Sequence, residues 1–151
     1  MEVVVDSRRD EILAWLEGMP KFAGGEMAVA SADASFRRYF RWTLDGKTYV
    51  VMDAPPDKEP CEPFVKIAEV LLKAGVRVPE ILAQDLNRGF LVLSDFGDLH
   101  YQEAIEGKGR DSLYDLALEQ ILKLQTGLRE EAKALDDYDK GWVRMELEIF
   151  R

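Results

Sequence analysis

The chain has 151 residues, 47% of them hydrophobic, which is enough for one packed domain or for a small lobe with part of a second. Its formal net charge of −9 gives phosphate backbones and anionic lipids no long-range attraction, so neither nucleic acid nor membrane is an expected partner. With Cys61 its only cysteine and His100 its only histidine, it excludes an internal disulfide, a multi-thiolate metal site and any catalytic arrangement that needs two imidazoles.

The lone cysteine fits a reducing cytoplasm; the first segment, MEVVVDSRRDE, has an apolar run too short for a signal sequence, and no later run approaches a membrane span. Ser7 is read as the cap of a helix carrying Ile12, Leu13, Leu16 and Met19 at helical spacing, with Gly18 and Pro20 near its end. A short strand follows at Met27–Ala30. Asp45-Gly46 then marks a two-residue type I′ turn, because Asp followed by Gly tolerates positive φ at both central positions. Counting outward from the turn pairs Trp42 with Tyr49 and Phe40 with Val51 on one face, and Arg41 with Val50 and Tyr39 with Met52 on the other. Such cross-strand pairs stabilise a sheet by roughly 0.2–1 kcal/mol each. Alternation puts Arg37 on the face of Tyr39, Arg41 and Met52, and Arg38 on that of Phe40 and Trp42. Taken alone, this is a structural hairpin with a solvated loop, or a lid over a phosphate.

After Pro55-Pro56, Pro63 suits the first turn of a second helix with Phe64, Ile67, Ala68, Leu71 and Leu72 on one face and Gly75 as its stop. Val78–Ala83 reads as a strand, Asn87-Arg88-Gly89 as a turn and Phe90–Leu93 as a buried strand. From there on the pattern is helical. Asp111 or Ser112 starts a long helix with Leu116, Ala117, Ile121, Leu124 and Leu128, and an acidic connection leads to a last helical pattern at Trp142–Phe150. The acidic residues Glu130-Glu131 and Asp136-Asp137 form a solvated face, since no ligand spacing supports a metal there.

Three strands, a helix, two strands and then helices resemble the N-terminal lobe of a protein-kinase-like fold. The segments SADASFRRYF, YVVMDAPPD, GVRVPEILAQD and GFLVLSDFGD are similar to the aminoglycoside phosphotransferase and choline kinase superfamily, and within it to the bacterial anomeric N-acetylmuramate and N-acetylglucosamine kinases. The resemblance implies an α+β fold, with a five-stranded antiparallel sheet and helix in residues 1–97 and the first helices of an α-helical lobe in 98–151. It also implies ATP as donor, Mg²⁺ held elsewhere, and a sugar or aminoglycoside-like acceptor.

By the same resemblance, Ala32, Asp33, Ala34, Ser35 and Phe36 form the loop that covers the nucleotide phosphates through backbone N–H groups. Leu93-Ser94-Asp95-Phe96-Gly97 becomes the hinge, with the Ser94 carbonyl and the Phe96 N–H as adenine contacts, although an ordinary strand end running into a turn reads the same way. Met52 stands where the third-strand lysine belongs, and Val65 or Lys66 stands near the position of its helix glutamate, so that ion pair cannot form. Arg37, on the face of Met52, is then the candidate for supplying phosphate charge.

His100 is followed by Tyr101 and does not open a His-Gly-Asp catalytic loop; it reads as a surface residue before a linker helix. No catalytic base and no metal ligand is therefore assigned within these residues. The expectation is the ATP-binding portion of a sugar kinase, inactive by itself and prone to self-association through uncovered helices. A stand-alone nucleotide-binding or protein-interaction module is the alternative. An enzyme of unrelated type is disfavoured, because no paired catalytic groups stand at recognisable spacing.

Overall fold

The structure is a computed structural model that describes residues 6–32, 36–107 and 109–149, with Ser31 and Ala32 described by their backbone alone. Five antiparallel strands, β1 (Glu26–Ala32), β2 (Arg38–Leu44), β3 (Lys47–Asp53), β4 (Ile81–Asp85) and β5 (Phe90–Ser94), form one sheet in the order β1-β2-β3-β5-β4. Helix α1 (Ser7–Glu17) precedes the sheet and α2 (Glu62–Lys73) separates β3 from β4. The short α3 (Tyr101–Ala104), the long α4 (Arg110–Gly127) and α5 (Lys140–Glu148) follow it. The mixed fold and the five-stranded sheet expected from the sequence are borne out.

The β2–β3 hairpin has the register that its turn dictates. Asp45 and Gly46 both adopt positive φ, 50° and 73°, and Trp42 faces Tyr49, Phe40 faces Val51, Arg41 faces Val50 and Tyr39 faces Met52. Alternation divides the core in two. On one side of the sheet Phe40, Trp42, Val51, Phe90 and Val92 pack with Ile12 and Leu16 of α1 and with Phe22; on the other, Met52, Leu91 and Leu93 pack with Ala54, Cys61 and the α2 residues Phe64 and Val65. The Trp42 indole N–H, buried in the first cluster, donates to the Phe22 carbonyl at 3.0 Å.

Several element edges differ from expectation. The cap of α1 is Asp6, not Ser7: its carboxylate accepts from the Arg9 N–H, and Ser7 is the first helical residue. The strand expected at Val78–Ala83 is β4, which starts three residues later and ends two later. Pro79 has no N–H to give a ladder, while the Glu80 N–H donates to the Ser94 hydroxyl at 2.9 Å and its carbonyl accepts from the Ser94 N–H. Ile67 and Leu72, expected on the inner face of α2, are exposed, and Val65 packs inward instead. Helix α4 begins at Arg110, after Gly109 at φ 101°, and ends before Leu128; α5 begins at Lys140, where Asp139 caps it by accepting from the Gly141 and Trp142 N–H groups. Contact between α4 and the sheet unit includes the Arg77 N–H donating to Gln120 Oε1 at 3.0 Å, with Gly127 lying against Ala74. Among the described residues no helix is long and apolar enough to cross a membrane.

Candidate functional site

The residues singled out by sequence gather at one end of β2 and at the end of β5. Ala32 closes β1 opposite Arg38, and Phe36 follows in the connection to β2, exposed, with the Lys58 ammonium 4.7 Å from its ring centroid. Asp33, Ala34 and Ser35, the middle of the expected phosphate-covering loop, lie outside the described residues. At the exit of that loop Arg37 turns toward α2. Its guanidinium stands 3.6 Å from Glu59 Oε1 and over the Phe64 ring at 5.9 Å, and its side chain keeps 27% exposure. That side of the sheet is the one occupied by Met52. Met52 and Leu93 themselves are buried in the cluster beneath α2 and present almost no surface.

Arg38 goes the other way. Its Nη2 donates to Asp53 Oδ2 at 2.6 Å and its Nη1 to Asp6 Oδ2 at 2.7 Å, while Arg8 of α1 donates to Asp53 Oδ1 through Nε at 2.8 Å and to the Arg88 carbonyl at 2.7 Å. Asp53 is fully buried, and a buried carboxylate persists only when paired and hydrogen-bonded. The hydrogen bond from Arg38 holds the Asp6 carboxyl below its ordinary value, and Asp6 in turn raises that of Arg38. This four-residue network fixes the start of β2, the end of β3 and the start of α1 together. Sequence motifs did not find it; the one signal was an aspartate, Asp53, on the apolar face of Val51 and Phe40.

At the other end of the sheet, Ser94 is the last residue of β5 and is held to Glu80 by two hydrogen bonds. Phe96 is exposed, with the Arg77 guanidinium 5.4 Å from its ring centroid. Gly97 turns the chain at φ 82°, its N–H donating to Asp95 Oδ1 at 2.8 Å. Asp95 in turn receives Arg41 Nε at 2.7 Å. Burial alone would push the Asp95 carboxyl up; the Gly97 N–H, Arg41 and the Thr48 side chain outweigh it and hold it below its ordinary value. His100 is exposed and directly precedes α3, as expected of a linker residue.

Beside the loop expected to cover phosphates stands the Arg37 guanidinium, and past the end of β5 the backbone carries the Ser94 carbonyl and the Phe96 N–H. Among the described residues no group of three or more His, Cys, Asp or Glu is arranged to hold a metal ion.

Residues 26–148 match the phosphotransferase enzyme family. The chain belongs to that family. The resemblance carried by its motifs extends to individual relatives: it is 43% identical over 155 residues to an N-acetylmuramate/N-acetylglucosamine kinase of Pseudomonas aeruginosa, a match covering 96% of this chain and 45% of the relative. Kinases of the same name from Pseudomonas putida and Neisseria meningitidis serogroup B are 41% and 34% identical, over 96% and 95% of this chain and 45% and 43% of their own lengths. The chain thus spans less than half the length of these curated relatives. Met52, which the resemblance sets at the position of a third-strand lysine, lies on the same side of the sheet as Arg37.

Proposed function

We propose that this chain is the ATP-holding part of a small-molecule kinase that transfers the γ-phosphoryl group of ATP to a hydroxyl of an amino sugar. The observation that carries the reading is the family match over residues 26–148, joined by three relatives named as N-acetylmuramate/N-acetylglucosamine kinases. In this reading the loop from Ala32 to Phe36 covers the phosphates with backbone N–H groups, and Arg37 donates to their oxygens as a fork. Ser94 and Phe96 bind the adenine edge through carbonyl and N–H, while Met52 and Leu93 support that surface from beneath. ATP as donor supports a cytoplasmic reaction.

The acceptor hydroxyl oxygen attacks the γ-phosphorus in line, its proton passes to a base, and ADP leaves. Such transfer relies on positioning and on charge stabilisation by magnesium. No His-Gly-Asp loop occurs in the sequence, and no described cluster suits the metal. The base and the metal ligands therefore belong to parts of such a kinase that these 151 residues do not match. A non-catalytic nucleotide-binding module is the second reading, favoured by the same missing groups. Apolar side chains exposed on α4 and α5 make self-association part of the proposal.

Calorimetric titration of the chain with ATP tests the core of the reading: saturable binding is expected, and its absence overturns it. With saturating Mg-ATP the purified chain is expected to transfer no phosphoryl group to N-acetylmuramate or N-acetylglucosamine. Measurable turnover would overturn the division of labour.

A further inference from the structure

A polar strap crosses the sheet from β2 to the residues after β5, and neither the sequence motifs nor the family match gives it a role. Arg41 is opposite Val50 in β3, and Val50 is opposite Leu93 in β5, so Arg41 stands two strands away from the hinge, beside the apolar Val50 and Leu93. Neighbouring strands are about 4.8 Å apart, so only a long side chain spans that distance. A guanidinium on such a surface needs acceptors.

Arg41 finds two. Its Nε and Nη2 donate to Asp95 Oδ2 at 2.7 Å and Asp95 Oδ1 at 3.4 Å, and its Nη1 donates to Asp98 Oδ2 at 2.8 Å. The Asp95 side chain keeps 4% exposure and that of Asp98 82%, so one end of the strap is buried and the other open to solvent. Asp95 Oδ1 also accepts the Gly97 N–H, closing a turn around Phe96. The strap therefore holds the residue between the two candidate adenine contacts and a second one just past the Gly97 turn.

We propose that Arg41 is a positioning residue for the base: by clamping Asp95 and Asp98 it fixes the Ser94 carbonyl and the Phe96 N–H as a rigid acceptor and donor pair that selects adenine over guanine. The inference rests on the nucleotide reading above. Adenine presents an amino donor at N6 where guanine presents the O6 acceptor, and a rigid polar site discriminates strongly because the wrong base leaves its groups unpaired. A loosened hinge adapts to either base.

The experiment compares wild type, Arg41→Ala and Asp98→Asn in the full 151-residue chain, by calorimetric titration with ATP, adenosine and GTP and by hydrogen exchange of the Gly97 amide. Arg41→Ala is expected to weaken ATP and adenosine by the same factor, about tenfold, to bring the ATP to GTP affinity ratio toward one, and to speed exchange at Gly97. Asp98→Asn, at an exposed position that does not threaten folding, is expected to move all three readouts in the same direction by less. Arg88→Ala, which removes an unrelated surface ion pair with Asp85, controls for general loosening and should leave the ratio unchanged. If wild type binds ATP and both strap variants keep its ATP to GTP ratio and its Gly97 exchange, the inference falls alone. If wild type binds neither ATP nor adenosine, the nucleotide reading falls and takes the inference with it. Should Arg41→Ala fail to fold, Asp98→Asn decides by the same criteria.

Discussion

Arg37 and Arg38 are adjacent in sequence and act on opposite sides of the sheet. Arg38 shares with Arg8 the neutralisation of the buried Asp53, and truncating it leaves that carboxylate with one cationic partner. Arg38→Ala is expected to lower stability by about 1–3 kcal/mol in urea unfolding. Arg37 faces Glu59 and Phe64 on the other side. Arg37→Ala is expected to lower stability less than Arg38→Ala does, to weaken ATP about tenfold and to leave adenosine binding intact, since its proposed partner is phosphate. Equal losses of ATP affinity in the two variants would refute the face assignment. Acid sensitivity follows from the same networks. Asp6 is held low by Arg38, Asp85 by Arg88, and Asp95 by the Gly97 N–H and Arg41 against its burial. A carboxyl whose folded value lies below its unfolded one contributes stability above the unfolded value and loses it as the pH falls through the folded one. Stability is therefore expected to be level above the ordinary aspartate value of 3.8 and to fall as the pH drops below it. A urea midpoint unchanged between neutrality and pH 3 would contradict this.

Elements were legible in proportion to how local their causes are. The hairpin register followed from Asp45-Gly46 alone, because a type I′ turn fixes which residues face each other, and from that register the sides taken by Arg37 and Arg38 follow as well. The inner face of α2 was less legible: Phe64 and Val65 pack against the cluster beneath the sheet while Ile67 and Leu72 stay exposed. A helix of twelve residues with apolar side chains on much of its circumference does not declare which side the sheet will take. Least legible were the Asp53 network and the Arg41 strap, which join residues 45 and 54 positions apart and exist only once α1 and the segment after β5 are placed. Charged residues at Arg41 and Asp53, beside the apolar Val50 and Val51 of β3, were the available signal. Turn geometry also separates two glycines. Gly46 has φ 73° and open space around a notional Cβ, so Gly46→Ala meets only the left-handed backbone cost, about 1–2 kcal/mol. Gly89 has φ 75° and a Cβ there would overlap the Ala54 carbonyl, whose residue accepts no displacement without breaking the Ala54 N–H bond to the Gly89 carbonyl. Gly89→Ala is expected to destabilise by clearly more than Gly46→Ala; equal denaturation midpoints would show that the β3–β5 junction yields.

At the scale of the whole molecule, the two halves of the chain differ in how they treat apolar side chains. Around the sheet, Trp42, Phe90, Ile12, Leu16 and Met52 are buried. Along α4, along α5 and just past its end, Leu116, Ile121, Leu124, Trp142 and Ile149 remain 50%, 50%, 47%, 48% and 73% exposed. Removing such surface from water gains about 25 cal/mol per Å², and apolar residues left in the open on successive helices drive association. Opposing this is the net charge of −9, which repels a second copy at long range. Salt separates the two contributions, since the screening length falls from about 30 Å at 0.01 M to about 10 Å at 0.1 M ionic strength while the apolar gain persists. The chain is therefore expected to self-associate in light scattering, more strongly at 0.1 M salt than at 0.01 M. Leu124→Glu should shift it toward monomer without lowering its thermal midpoint, because Leu124 is half exposed in the single chain. A monodisperse monomer at high concentration and at both ionic strengths would show that these helices do not mediate self-association.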